Sequence, residues 1–429
     1  NQYKTEDKNQ FELNVDWWKM EKNSNKLTGT FLESSMLSSE NQIGRQLDEV
    51  KALGMDTVVL QSMKTLAGGC GGSYQWNVNM PGNLKYLFSE AKKKGIKVWV
   101  GTALKAPCYQ VSDEEVNKKV AANKEIIDFV ESEVSSLGFG DVLAGYYLSD
   151  EPSISTWAFT ESNYREVKMT VDYLREKNRK SMISPILWVD SSNPKSSDWV
   201  RDQAVNFASY TKVDIQAWQD GTGAYATATE ENNPYNSKKY FEAMVVALGK
   251  DRIWADIELF NWGNDRDYSK VTSWYRPAML GRILNQIANA GATGKQLCWI
   301  QQHHMQSVNS VLYSSEAIGL YDAYMSNLGS NGEKFLVKPK SYSWSVAPSS
   351  SYMDSGNEMF DGYVGNPKRY MDQSWVGFLN DDPTLNIDLN GEKPIKWIRA
   401  HVLNSQTQAI YFPNKMEIKC GTKTEVVDL

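Results

Sequence analysis

Two hydrophobic periods alternate along the first three quarters of the chain. Short apolar, β-branched runs predict strands at Lys26–Glu33, Met55–Gln61, Ile96–Thr102, Val142–Ser149, Met182–Trp188, Val213–Trp218, Arg252–Leu259 and Lys295–Ile300. Between them, apolar positions three and four apart predict helices at Asn41–Gly54, Pro81–Gly95, Ser112–Leu137, Thr160–Lys177, Ser196–Tyr210, Tyr235–Leu248, Thr272–Ala290 and Ser314–Leu328. The ends carry local chemistry. Pro81 opens a helix, Gly54 and Gly95 close two, and Ser112 with Glu115 forms a capping box. Pro185 lies inside the fifth strand pattern, where a missing N–H weakens pairing. Eight strand-then-helix units in series predict an α/β fold, a parallel sheet closed into a (β/α)₈ TIM barrel. The alternative, an open doubly wound sheet, would favour a glycine-rich phosphate fingerprint after the first strand, and none is there.

After Ser330 the helical period stops. Short alternating runs at Thr384–Leu389, Ile395–Val402 and Lys415–Cys420, separated by Pro, Gly, Asn and Asp, predict a small antiparallel β-sandwich. The domain plan is an N-terminal extension over 1–25, a barrel over 26–330 and the β module over 336–429. Asn1–Gln10 is polar and is expected to be disordered, as at the start of a processed mature chain.

Composition narrows the partners. With 46 basic and 52 acidic side chains in 429 residues the net charge is −6, which argues against nucleic acid or anionic lipid. No apolar run of about 18 residues is present, so no membrane span is expected. The 15 Trp and 22 Tyr are core material, and in this acidic background they also suit stacking on sugar rings. A monomer acting on an oligo- or polysaccharide is expected. No CxxC occurs. Cys70 and Cys108 follow the second and third strands, so a disulfide between them is one expectation, and it would imply an oxidising compartment. A secreted, periplasmic or cell-surface location fits. Cys298, inside a strand, reads as a small buried apolar residue.

Candidate chemistry gathers where the strands end. Glu151 follows the fourth strand and Glu258 closes the seventh, about three βα units on, which places both at one barrel mouth. Each could instead serve structure: Glu151 as a capping or salt-bridging acid, Glu258 as the partner of Arg266 or Arg282. Two carboxylates across one mouth suit glycosidic cleavage, with a gap of about 5 Å for retention and roughly 6.5–9.5 Å for inversion. Asp150 would supply negative charge that raises the donor's pKa. Around them the strand ends supply substrate-binding candidates: Gln61, Trp188, Trp218, Asp220, Asn261, Trp262, Trp299, Gln301 and His303. The four tryptophans are candidate sugar platforms, some of them core. The amides of Gln61 and Gln301 suit hydroxyl recognition. Asp220, in the stretch Gln219-Asp220-Gly221-Thr222-Gly223, is either a ligand contact or a turn-forming Asp. Adjacent His303 and His304 lack a third ligand at useful spacing, so neither a metal nor a cofactor is expected.

An acid/base Glu after strand four and a nucleophilic Glu after strand seven resembles the clan A glycoside hydrolases over about Lys26–Leu328. That clan has Asn before the acid/base residue, and this chain has Asp150. The wording Leu27-Thr28-Gly29-Thr30-Phe31, Tyr147-Leu148-Ser149-Asp150-Glu151-Pro152 and Gln219-Asp220-Gly221-Thr222-Gly223 is similar to a bacterial family of glycosidase-like TIM barrels, which implies a glycan-related role. Past the barrel, Asp361-Gly362, Trp375-Val376-Gly377-Phe378, Ile387-Asp388-Leu389 and Phe412-Pro413-Asn414-Lys415-Met416-Glu417-Ile418 resemble a discoidin-like (factor V/VIII type C) module. The function expected is a retaining glycoside hydrolase with Glu151 as acid/base and Glu258 as nucleophile. The alternatives are a glycan-binding barrel without turnover and a metal-dependent hydrolase using His303.

Overall fold

The computed structural model describes residues 2–4, 10–14, 26–33, 39–69, 71–77, 80–104, 112–153, 159–187, 195–223, 237–261, 276–278, 280–306, 314–328, 339–356, 359, 375–391, 399–403, 408–411 and 413–428. Contacts divide it into two compact units, Ser24–Gln302 and a second made of Asn1–Asn23 with His303–Leu429.

The first unit is the barrel. Its parallel strands are β1 (Gly29–Leu32), β2 (Thr57–Leu60), β3 (Lys97–Gly101), β4 (Leu143–Tyr147), β5 (Ser181–Ile183), β6 (Ile215–Gln219), β7 (Ile253–Glu258) and β8 (Gln296–Trp299). They pair in chain order, and β8 pairs with β1 to close the ring. The sequence pattern predicts this α/β barrel, and the structure shows it. The helices between strands are α1 (Glu40–Ala52), α2 (Met80–Lys94), α3 (Asp113–Leu137), α4 (Arg165–Glu176), α5 (Ser197–Thr211), α6 (Lys238–Leu248) and α7 (Leu280–Asn289). Ser39, Ser112 and Ser196 cap three of them, each hydroxyl accepting from the amide three residues on. Pro185 lies beyond the end of β5, and its carbonyl accepts from Gln219 N, so the strand is short but still paired.

The barrel interior is filled by Phe31, Val59, Trp99, Tyr147, Met182, Ile215, Ala217, Trp254, Leu297 and Ile300. Successive inward positions on a strand are two apart, so this cluster sets the parity of each strand. Trp99 and Trp254 meet edge to face at 5.8 Å. Gly145 makes room for them, since a Cβ there would stand 2.6 Å from the Trp99 ring. On β7 the inward face reads Trp254, Asp256, Glu258: apolar at the base, acidic toward the C-terminal end.

Two loops carry strands of their own. The β2–α2 connection contains the hairpin Lys64–Ala67 with Ser73–Trp76. Past β7, Phe260–Asn261 pairs with Arg276–Pro277, and α7 begins at Leu280 rather than at the predicted Thr272.

The second unit contains a helix, Ser314–Leu328, and small antiparallel sheets. Ser341–Trp344 pairs with Leu385–Asp388, and Lys415–Cys420 pairs with Lys423–Asp428. Part of the N-terminal stretch expected to be disordered is paired. Gln2–Lys4 and Gln10–Asn14 pair with each other, and the latter pairs with Arg399–Leu403. The partner strand lies nearly the whole chain away, so no local pattern could reveal it. Cys298 is buried on β8, as expected. Cys70 and Cys108, and with them the expected disulfide, lie outside the described residues.

Candidate functional site

Glu258 is the last residue of β7 and is almost fully buried. The turn leaving β6 covers it, and the Gly223 amide donates to its Oε2. Gly223 sits so close that a Cβ there would lie 2.8 Å from Glu258 Cβ and 2.5 Å from the Phe260 carbonyl oxygen. Burial pushes the Glu258 carboxyl up to about 8. The nearby Asp220 charge adds to the rise, while Arg282 and the amides of Gly223 and Gly221 oppose it.

The Arg282 pairing considered from sequence takes an indirect form. Arg282, on α7, donates through Nη2 to the backbone carbonyls of Glu258 at 2.7 Å and Phe260 at 2.6 Å. Its Nη1 meets Gln286 Oε1. Gln286 Nε2 in turn donates to Asp220 Oδ1 at 2.7 Å. Asp220 also accepts from Thr222 N at 3.0 Å and from Ser237 Oγ at 2.9 Å. Of the two roles open to Asp220, the structure shows the turn: its buried carboxylate is used to fold the β6–α6 loop and tie it to α7.

Glu151 lies four residues past β4. Its side chain touches solvent at the rim, but protein crowds its inner flank. That desolvation raises its pKa. The Gln219 amide lowers it, and the Asp150 charge raises it. Gln219 Nε2 donates to Glu151 Oε1 at 2.9 Å and also to Ser184 Oγ at 3.1 Å. Asp150 is buried and accepts from the Glu151 amide at 2.8 Å. The exit of β6 therefore holds both glutamates: Gln219 binds Glu151, and Gly223, four residues on, binds Glu258.

The other candidates divide. Trp299 is inward and half-buried, with its ring 5.4 Å from Phe31 in the uppermost described layer of the interior. Gln61 is half-buried just past β2, on the inward parity of Val59. Trp218 does not reach the mouth. Inward parity on β6 belongs to Ile215, Ala217 and Gln219, so Trp218 points out to the helix layer, fully buried, its Nε1 on Gln216 Oε1 at 3.1 Å. Gln301 is likewise buried away from the mouth, donating to Glu49 of α1 at 2.8 Å. Trp188 and Trp262 lie outside the described residues, as do the side chains of Asn261 and His303. Among the described residues no cluster of His, Cys, Asp and Glu has the arrangement of a metal site.

Two participants escaped the strand-end count, Asp256 and Ser184. Asp256 is inward on β7, two residues below Glu258, and fully buried. Burial raises its pKa well above the carboxylate range, and the charges of Glu258 and Glu151 add to the rise. Ser184 and Gln219 link it to Glu151. Its signal was an acid in an apolar strand, sharing the parity of Glu258.

The structure thus defines a (β/α)₈ barrel with the buried carboxyl groups of Asp256 and Glu258 and the exposed one of Glu151 toward the C-terminal end of its strands. The chain belongs to the family described as Domain of unknown function (DUF4434), whose profile matches residues 27–311. No curated protein matches it in sequence. Among solved structures it is similar to a candidate alpha-L-fucosidase from Bacteroides thetaiotaomicron, with a TM-score of 0.51 and 18 % identity over 71 % of this chain and 93 % of that one. An endo-beta-1,4-mannanase from Thermotoga petrophila gives a TM-score of 0.44 at 11 % identity, over 75 % of this chain and 80 % of that one. At 18 % identity the first shares its fold with this chain. No helix among the described residues is long and apolar enough to cross a membrane.

Proposed function

We propose that this protein is a glycoside hydrolase that cleaves a glycan with retention, using Glu151 and Glu258 as its working pair. The observation that carries this reading is the joint hold of the β6 exit on both glutamates, Gln219 on one and Gly223 on the other. Glycoside hydrolase names among proteins of similar fold support it as analogy.

In this mechanism the Glu151 carboxyl proton passes to the glycosidic oxygen as the bond to the anomeric carbon breaks. The Glu258 carboxylate bonds to that carbon through an oxocarbenium-like transition state. Water then gives its proton to Glu151 and attacks the anomeric carbon, and Glu258 leaves as carboxylate. Trp299 offers an apolar face for a sugar ring, and Gln61 an amide for its hydroxyls. The raised pKa of Glu151 suits a proton donor. That of Glu258 means that in the free protein this carboxyl holds its proton near neutrality, and its nucleophilic carboxylate form grows as pH rises through about 8.

The same shift favours one second reading, with the roles exchanged: Glu258 as donor and Glu151 as nucleophile. Azide rescue of alanine variants separates the two. Removing the nucleophile yields a glycosyl azide of inverted configuration, and removing the acid/base yields a retained one. The function itself is tested by screening aryl glycosides and a glycan array with wild type and Glu258→Gln together. The expected result is hydrolysis by the wild type only, with glycan binding by both. Glycan binding without turnover by the wild type would instead mark a binding barrel. The C-terminal unit, on this reading, is a discoidin-like module.

A further inference from the structure

Asp256 is a buried carboxyl group that the two-glutamate mechanism does not use. It is 1 % exposed, with the Trp254 ring one inward step below and Glu258 one above. Ionisable groups close to it are Glu258, Glu151 and Tyr147, with Asp220 from the β6 loop and Cys298 of β8. Its Oδ2 lies 3.3 Å from Ser184 Oγ, and its Oδ1 has no hydrogen-bond partner among the described residues.

Counting the hydrogen bonds at Ser184 decides who donates to whom. A serine hydroxyl has one hydrogen and two acceptor positions. Its shortest contact, 2.8 Å to the Ala217 carbonyl oxygen, uses the hydrogen, since that oxygen can only accept. Gln219 Nε2 at 3.1 Å can only donate, so it fills one acceptor position. The contact to Asp256 is then satisfied when Asp256 supplies the hydrogen. An ionised Asp256 would leave Oδ2 as well as Oδ1 without a donor in a buried site, which is strongly unfavourable. Desolvation and the neighbouring acids push it in the same direction, toward the neutral form.

We propose that Asp256 is a positioning residue: its carboxyl group donates a hydrogen bond to Ser184 and thereby locks the Gln219 side chain onto Glu151. With Ser184 filled from Asp256 and emptied into Ala217, Gln219 has one N–H for Ser184 and one for Glu151. The chain crosses the interior from β7 to the end of β4, through β5 and β6. It lets a group buried below Glu258 set the orientation of the acid across the mouth. The role in turnover rests on the glutamate pair proposed above; the hydrogen-bond chain itself does not.

The test is the titration of Glu151, followed by ¹³C carboxyl NMR in the full chain without substrate, in wild type, Asp256→Asn and Asp256→Leu. Asparagine keeps a donor, and leucine removes it while keeping the same branching. If Asp256 is a neutral donor, the leucine variant loses the hold of Gln219 on Glu151 and the Glu151 pKa rises, while the asparagine variant stays near wild type. If Asp256 is a carboxylate, both variants remove a negative charge and the Glu151 pKa falls in both, which overturns the proposal. An unchanged Glu151 in the leucine variant overturns it too. Ser184→Ala breaks the same chain without filling the Asp256 site, so it should raise the Glu151 pKa even if the leucine variant does not fold; no rise there would also overturn the proposal. On a hydrolysed glycoside, kcat should fall about tenfold in Asp256→Leu with little change in KM, and Asp256→Asn should recover most of it. Loss of all activity in wild type would sink the glycosidase reading, and the NMR titration would still decide the role of Asp256.

Discussion

The ends of β4 and β7 each present a glutamate to the same mouth, yet the two sites are built differently. Glu151 stands at the rim, partly in solvent, held by one amide from Gln219. Glu258 is sealed beneath the β6–α6 loop, with glycine amides on its carboxylate and an arginine on its backbone. One site can exchange protons with water directly. The other is fixed in place and shielded. The fold makes each strand end look alike from outside, so the difference comes from the loop that follows a neighbouring strand.

If the buried site does the bond-making, Glu258→Gln should produce the largest loss, at least about 1,000-fold in kcat with glycan affinity retained. Steady-state kinetics beside a binding titration would show it. Crowding the same site comes next. Gly223→Ala drives a Cβ to 2.5 Å from the Phe260 carbonyl oxygen and 2.8 Å from Glu258 Cβ, and should cost about 100-fold in kcat.

Arg282→Met keeps the length of the side chain but strips two carbonyls of their donor. It should destabilise the barrel by about 2–4 kcal/mol in urea unfolding and raise the Glu258 pKa, since Arg282 now opposes that rise. At the open site, Gln219→Leu removes the interaction that lowers the Glu151 pKa, so the limb of the pH–rate profile that Glu151 sets should move upward.

Stability gives the finest comparison. The folded pKa of Glu258, about 8, lies above the ordinary 4.5, so between these values the folded state binds a proton that the unfolded state has released. This contribution to stability is complete below 4.5 and is lost as pH rises through about 8. Glu258→Gln lacks the titration. Its melting temperature relative to wild type should therefore climb between pH 5 and pH 8.

Much of this was legible in the sequence because periodicity carries it. Eight apolar runs and the helices between them give the barrel, and Glu151 and Glu258 follow from counting strand ends. What escaped depends on parity and on partners from other strands. Trp218 ends the strand that the sequence predicts, but it is odd to the inward Ala217 and Gln219, so it faces the helices. Asp256 was readable by the same parity, as the inward neighbour of Glu258. Its link to Glu151 was not, because Ser184 and Gln219 meet only in the register of β5 against β6. Gln301 looked like a mouth amide, yet Glu49, some 250 residues earlier, takes it into the helix layer.

The measurement that bears most directly on the glutamate pair is covalent trapping. A panel of 2-deoxy-2-fluoroglycosyl fluorides, offered to the wild type and followed by peptide mass spectrometry, should leave one sugar esterified to Glu258. A label on Glu151 or elsewhere, or no label in a preparation that turns over the parent glycoside, would contradict the assignment.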